Sequence, residues 1–149
     1  MFPQAVWVWE GAPDWKNEIL AYLQLELKKA GITNEDHIRN IIAVPLIESG
    51  VNPEAVGDHG CSYGAYQKNH CAHDHMLASR YIQLHPEWKD PKVQTDWFVQ
   101  RTVAAYEKYN QNIFRTIVQH NAPSFASKGL DTPVGYGAKV IRWSLTRLR

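Results

Sequence analysis

Ile41-Ile42-Ala43-Val44-Pro45-Leu46-Ile47-Glu48-Ser49-Gly50 runs, after five residues, into Val56-Gly57-Asp58-His59-Gly60 and Tyr63-Gly64-Ala65-Tyr66-Gln67. One carboxylate stands where an apolar run ends. A glycine-punctuated segment follows it and is closed by a glutamine. A glutamate leaving an apolar helix is a candidate for a raised pKa, because desolvation disfavours its charged form. A carboxylic acid still protonated near neutral pH is what glycoside cleavage requires of its proton donor. Pro45 cannot offer the N–H that would bond Ile41, so a kink in the last turn is expected three residues before Glu48. Such a kink can aim the carboxylate or simply bend the helix.

Upstream, Ile19, Leu20, Leu23, Leu27 and Ala30 form the stripe of a helix with Asp14 as its expected cap and Gly31 as its stop. Thr33 or Asn34 opens the helix that carries Ile38, Ile41, Ile42 and Leu46. Residues 50–69 read as loop plus a small hairpin, because Asn52-Pro53, Gly57, Gly60 and Gly64 break them into short segments. Downstream, a short helix is predicted over 76–84, and Asp90-Pro91 opens a longer one through Trp97 to Tyr109. A further helix runs over 112–120 until Asn121-Ala122-Pro123 breaks it. Asp131-Thr132-Pro133 starts the last helix, through Val140, Ile141 and Leu145. The fold class expected is mainly α (α+β): a helical bundle with one small β-hairpin beside Glu48.

The chain has 149 residues, of which 44% are hydrophobic and 21% charged, enough for one domain with a real core. A formal net charge of +1 provides no strong field toward nucleic acid or an acidic membrane. Arg142, Arg147 and Arg149 make the C-terminus locally basic, which reads as a solvated helix face. No apolar run approaches the roughly 20 residues of a membrane span. The apolar, aromatic stretch from Met1 to Gly11 lacks a basic n-region and is read as part of the fold, with no signal peptide recognised. Cys61 and Cys71 can close a loop in an oxidising compartment and would be free thiols in the cytosol.

Glu48-Ser49-Gly50, Asn52-Pro53, Ala55-Val56-Gly57, Gly60 and Gly64-Ala65-Tyr66-Gln67 together resemble the signature of the lysozyme-like superfamily, in particular soluble lytic transglycosylases and goose-type lysozymes. His120-Asn121-Ala122-Pro123 is similar to the tyrosine-asparagine-alanine-glycine motif of the transglycosylases, with proline in place of the glycine. Tyr136 falls where that family carries a tyrosine on its last helix. The resemblance covers residues 37–143 as a family-like core, with residues 1–35 as an N-terminal helical extension of a single domain.

The resemblance implies a lysozyme-like fold and a muralytic enzyme that cleaves the β-1,4 bond between N-acetylmuramic acid and N-acetylglucosamine in peptidoglycan. Glu48 would protonate the glycosidic oxygen and then act as base. In lytic transglycosylases the substrate's own N-acetyl group or 6-hydroxyl completes the reaction. In goose-type lysozymes an aspartate activates water, and Asp58 is the residue that could do so here. Asn69 stands where those enzymes carry another aspartate and cannot serve as a base, which favours the anhydro-forming outcome. Gln67 and Asn121 offer amides to a sugar, or equally to the hairpin and the helix end. Tyr63, Tyr66 and Tyr136 offer flat faces for sugar rings, in a chain whose other aromatics are largely core. No cofactor and no metal are called for. His70, His73 and His75, with His59, Asp58, Asp74 and the two cysteines, match no standard zinc spacing. The expected partner is the peptidoglycan glycan strand, met as a monomer at the bacterial cell wall, as for phage or viral endolysins. A non-catalytic wall-binding module of the same fold is the alternative from another class.

Overall fold

The computed structural model describes residues 6–149; the expectation that Met1 to Gly11 belongs to the fold lies outside the described residues over its first five positions. The chain is mainly helical with a three-stranded antiparallel sheet. The order is α1 (Asp14–Lys29), α2 (Glu35–Ser49), β1 (Val56–Gly57), β2 (Ser62–Tyr63), β3 (Lys68–Asn69), α3 (His70–Asp74), α4 (Ala78–Leu84), α5 (Pro91–Lys108), α6 (Ile113–Asn121), α7 (Pro123–Ala126) and α8 (Tyr136–Arg147). One-turn 3₁₀ helices span Asp58–Gly60 and Pro86–Lys89. No described helix is long and apolar enough to cross a membrane.

Helix α2 is the centre of the molecule. From Ile41 to Leu46 every residue is buried, so the helix has no solvent face over that stretch and packs against α1, α6 and α8. Helix α1 joins the same core through Leu20, Leu23 and Leu27, all fully buried. The stretch preceding α1 is stitched in by the buried Gln24 amide, which accepts from the N–H groups of Val6 and Trp7 and donates to the Trp7 carbonyl. Val8 and Arg149 exchange backbone hydrogen bonds, which ties the beginning of the described chain to its end.

Three caps follow local chemistry: Asn34, Asp90 and Asn112 each accept an N–H from the first turn of the helix they precede. Asp14 is no cap. Pro13 takes that position, and Asp14 is the first helical residue, where its charge still suits the helix N-terminus. Helix α8 begins at Tyr136, later than Pro133. The Asp131 carboxylate reaches across the intervening loop to accept N–H groups from Thr132, Gly137 and Ala138. Burial alone would push that carboxyl up, but the three donors hold it below its ordinary 3.8.

The single hairpin expected over 50–69 is a three-stranded meander, with Val56 paired to Tyr63 and Tyr63 to Lys68. Its strands are two residues long, so its stability comes from anchors outside the sheet. Gln94, a buried amide on α5, accepts from Ala65 N–H and donates to the carbonyls of Pro53 and Trp88. Gly64 sits directly over that amide at φ +92°; a Cβ there would come within 2.6 Å of the Gln94 oxygen, so glycine is required twice over. Cys61 and Cys71 are joined by a disulfide, their Cα atoms 5.2 Å apart, which ties the start of the second strand to α3.

Candidate functional site

Helix α2 continues through Pro45 to Ser49 and places Glu48 in its last turn. Gly50 and Val51 then both adopt left-handed backbone angles and return their N–H groups to the carbonyls of Leu46 and Pro45. A fully buried valine at φ 56° is strained by about 1–3 kcal/mol, and packing holds it there. Ser49 fastens this helix end to the sheet: its hydroxyl donates to the Ala65 carbonyl at 2.8 Å and accepts from Asn52 N–H.

The Glu48 side chain retains only 16% of its exposure. Burial raises its carboxyl from the ordinary 4.5 to about 7; the Tyr136 hydroxyl, donating to Oε2 at 2.7 Å, opposes that rise, and the negative charge of Asp58 adds to it. The group is therefore poised between acid and carboxylate near neutral pH. Tyr136 is itself buried at the start of α8, its own N–H held by Thr132 Oγ1. Burial and then the neighbouring Glu48 keep its phenol well above 10, so it remains a donor. The close approach of α8 that brings it to Glu48 depends on Gly137, where a Cβ would press on Phe114 and Val118 at 2.9 Å.

His120, the first residue of the His120-Asn121-Ala122-Pro123 motif and given no role by it, is a second neighbour of Glu48. Its Nε2 lies 3.7 Å from Glu48 Oε2 and 2.8 Å from the Tyr66 carbonyl. Burial pushes the imidazole down to about 4, so it is neutral near pH 7 and no ion pair forms across the 3.7 Å gap. The Nε2 proton is donated to Tyr66, which leaves Nδ1 as a buried acceptor with no partner among the described residues. His120 lies three and four residues after Ile117 and Thr116, both buried on the inner face of α6, and that spacing was its available signal.

Comparison with known proteins finds no family, no curated protein and no solved structure that matches the chain.

The other candidate residues fall in three groups. Asp58 is exposed, held at φ 50° in the 3₁₀ turn, with its carboxylate accepting from Ser62 Oγ at 2.6 Å; it acts on Glu48 through its charge. Tyr63 is half-buried on β2, and Asn121 is exposed at the end of α6, next in the chain to His120. Tyr66 and Gln67 are occupied by the fold. The Tyr66 ring is buried, stacked on Phe98 at 4.4 Å between ring centroids, with its hydroxyl bonded to Thr95. It offers no face to a ligand, and the expectation of a sugar platform there is corrected; its carbonyl, not its ring, belongs to the site. Gln67 spends its amide N–H groups on the carbonyls of Ala55 and Gly64 and is a brace of the sheet.

The histidine-rich stretch is divided rather than gathered. His70 is fully buried and bonds Asp74 through Nδ1 at 2.8 Å, Lys68 joins the same carboxylate at 3.2 Å, and His73 packs edge-on against Trp97. Among the described residues, no three histidine, cysteine or acidic side chains converge in a way that could hold a metal ion.

Proposed function

We propose that the protein is a peptidoglycan glycosidase of lysozyme-like fold, cutting the β-1,4 bond between N-acetylmuramic acid and N-acetylglucosamine with Glu48 as its general acid. The observation that carries the proposal is the Glu48 carboxyl, largely buried, raised to about 7, and oriented by the Tyr136 hydroxyl at 2.7 Å. Near pH 7 a carboxyl of that pKa has both a populated acid form and a low cost of proton transfer, the compromise general acid catalysis needs. Neutral His120 adds no positive charge that would strip the proton. Once the acid has protonated the leaving oxygen, the resulting carboxylate can accept a proton in the second half of the reaction.

The preferred outcome is that of a lytic transglycosylase, closing a 1,6-anhydro ring on the muramoyl residue. Asn69 supports it: the amide at that position is occupied as the cap of α3, accepting Ala72 N–H at 3.0 Å, and is no base. Hydrolysis is the second reading, favoured by one observation: the Asp58 charge is felt at Glu48, so a water between them could be activated. The disulfide fits action at the cell wall, in an oxidising compartment.

Digestion of purified peptidoglycan followed by mass spectrometry tests both readings. Products lighter by one water indicate ring closure, and reducing ends indicate hydrolysis. Glu48→Gln keeps the shape and cannot donate the proton, so cleavage should fall by at least about 10². Undiminished clearing by that variant would refute the role of Glu48.

A further inference from the structure

A cavity of about 400 Å³ opens between α3, α5 and α6. His73, Trp97, Gln100, Arg101, Lys108 and Gln119 line it, together with two alanines of α5. Two cationic side chains, a histidine, two amides and the Trp97 indole line it, and no acidic side chain of the described residues does. Among the described residues none of the three basic groups is in an ion pair; Asp74, the acid felt at His73, is already held by His70 and Lys68.

Arg101 is the telling residue. Its guanidinium stands 5.8 Å from the centroid of the Trp97 ring, and its Nε is shut off from solvent with no hydrogen-bond partner among the described residues. A guanidinium presents a rigid fork of donors that matches a carboxylate. The Lys108 ammonium lies 5.4 Å from the Tyr109 ring centroid, in reach of the same opening. Gln119 accepts the Tyr109 hydroxyl through its oxygen, so its nitrogen is the end left to donate.

The His120 ring lies 6.1 Å from that of Trp97, which lines the cavity, and its Nε2 lies 3.7 Å from Glu48 Oε2, so His120 neighbours both Trp97 and the acid.

We propose that this cavity is a carboxylate-binding subsite for the acidic peptide that peptidoglycan carries on its muramoyl residue, with Arg101 as the principal contact and Lys108 as a second charge. The identity of the ligand rests on the glycosidase reading; the capture of carboxylate does not. Trp97 provides the apolar floor, and Gln100 and Gln119 can bond peptide amides. Such a subsite would place the glycan by its side branch and favour strands that keep their peptides over strands stripped of them.

Calorimetric titration with N-acetyl-L-Ala-γ-D-Glu-L-Lys-D-Ala, and with the same peptide amidated at both carboxyl groups, tests the proposal without catalysis. The acid form should bind at least about tenfold more tightly than the diamide, and added salt should narrow the gap. Arg101→Gln should lose about tenfold for the acid form, and Lys108→Gln, at an exposed position, a smaller factor of about three. Absent binding, equal binding of the two peptides, or unchanged affinity in both variants overturns the subsite. If Arg101→Gln does not fold, the comparison of peptides and the Lys108→Gln titration decide alone. The two failures are separable: no glycan cleavage by the wild-type protein refutes the glycosidase reading, whereas no carboxylate-dependent binding overturns the subsite.

Discussion

Replacing Glu48 by Gln should stabilise the protein, and only above a defined pH. The native carboxyl holds its proton up to about 7, while the unfolded chain releases it near 4.5. Below 4.5 both states are protonated and the residue costs nothing. As pH rises from 4.5 to about 7 the unfolded state ionises first, and the native state loses stability relative to it. Above about 7 the native protein carries a desolvated charge, and the loss is complete. That interval, at about 1.4 kcal/mol per pKa unit, corresponds to about 3 kcal/mol. Glutamine keeps an oxygen for the Tyr136 hydroxyl and removes the charge. For a domain of this size, melting temperature moves by about 2–4 °C per kcal/mol, so Glu48→Gln should melt about 6–12 °C above wild type at pH 8. At pH 4 the two should agree. His120, lowered to about 4, works in the opposite sense: its contribution is present above 6.5 and is lost as pH falls toward 4. The difference between variant and wild type removes it, whereas the variant alone should show stability rising over that window. Thermal denaturation followed by circular dichroism from pH 4 to 8.5 measures all of this. An offset that does not change with pH, or a variant less stable than wild type at pH 8, would show that the Glu48 carboxyl is not desolvated and would remove the ground for its role as acid.

Tyr136→Phe deletes the hydroxyl that donates to the Glu48 carboxylate, so the alkaline limb of the kcat profile should move to higher pH; a limb that stays put would mean the 2.7 Å bond does not set the acid. Asp58→Asn removes the charge that raises Glu48, so the same limb should move down while ring-closing turnover largely persists. A loss as large as that of Glu48→Gln would instead make Asp58 the activator of water. Reducing the Cys61–Cys71 bridge releases a constraint worth about 3 kcal/mol in the unfolded chain, so reductant should lower the melting temperature; an unchanged transition would mean the bridge adds no stability.

What could be read from the sequence was what neighbours in the chain decide. Asn34, Asp90 and Asn112 cap their helices because each accepts an N–H only two or three residues ahead. The uninterrupted apolar run over residues 41–46 is buried because no side of it could face water. Glu48 was singled out because it is the carboxylate that ends this run. Helix α3 went unread for the complementary reason: five residues without apolar periodicity become helical because Asn69 caps them and the disulfide and Asp74 hold them down. What only the tertiary structure decided are pairings across long stretches of chain. Tyr136 reaches Glu48 over 88 positions and His120 reaches the Tyr66 carbonyl over 54, and neither partner bears a local mark of the other. The tyrosine and glutamine that looked like ligand contacts were claimed by the core and the sheet: Tyr66 by Phe98 and Thr95, Gln67 by Ala55 and Gly64. Residue type and spacing specify which groups can bond and which helix face is apolar. Whether an amide or a phenol is left for a substrate depends on whether another part of the chain satisfies it first, and that competition is resolved only when distant elements pack.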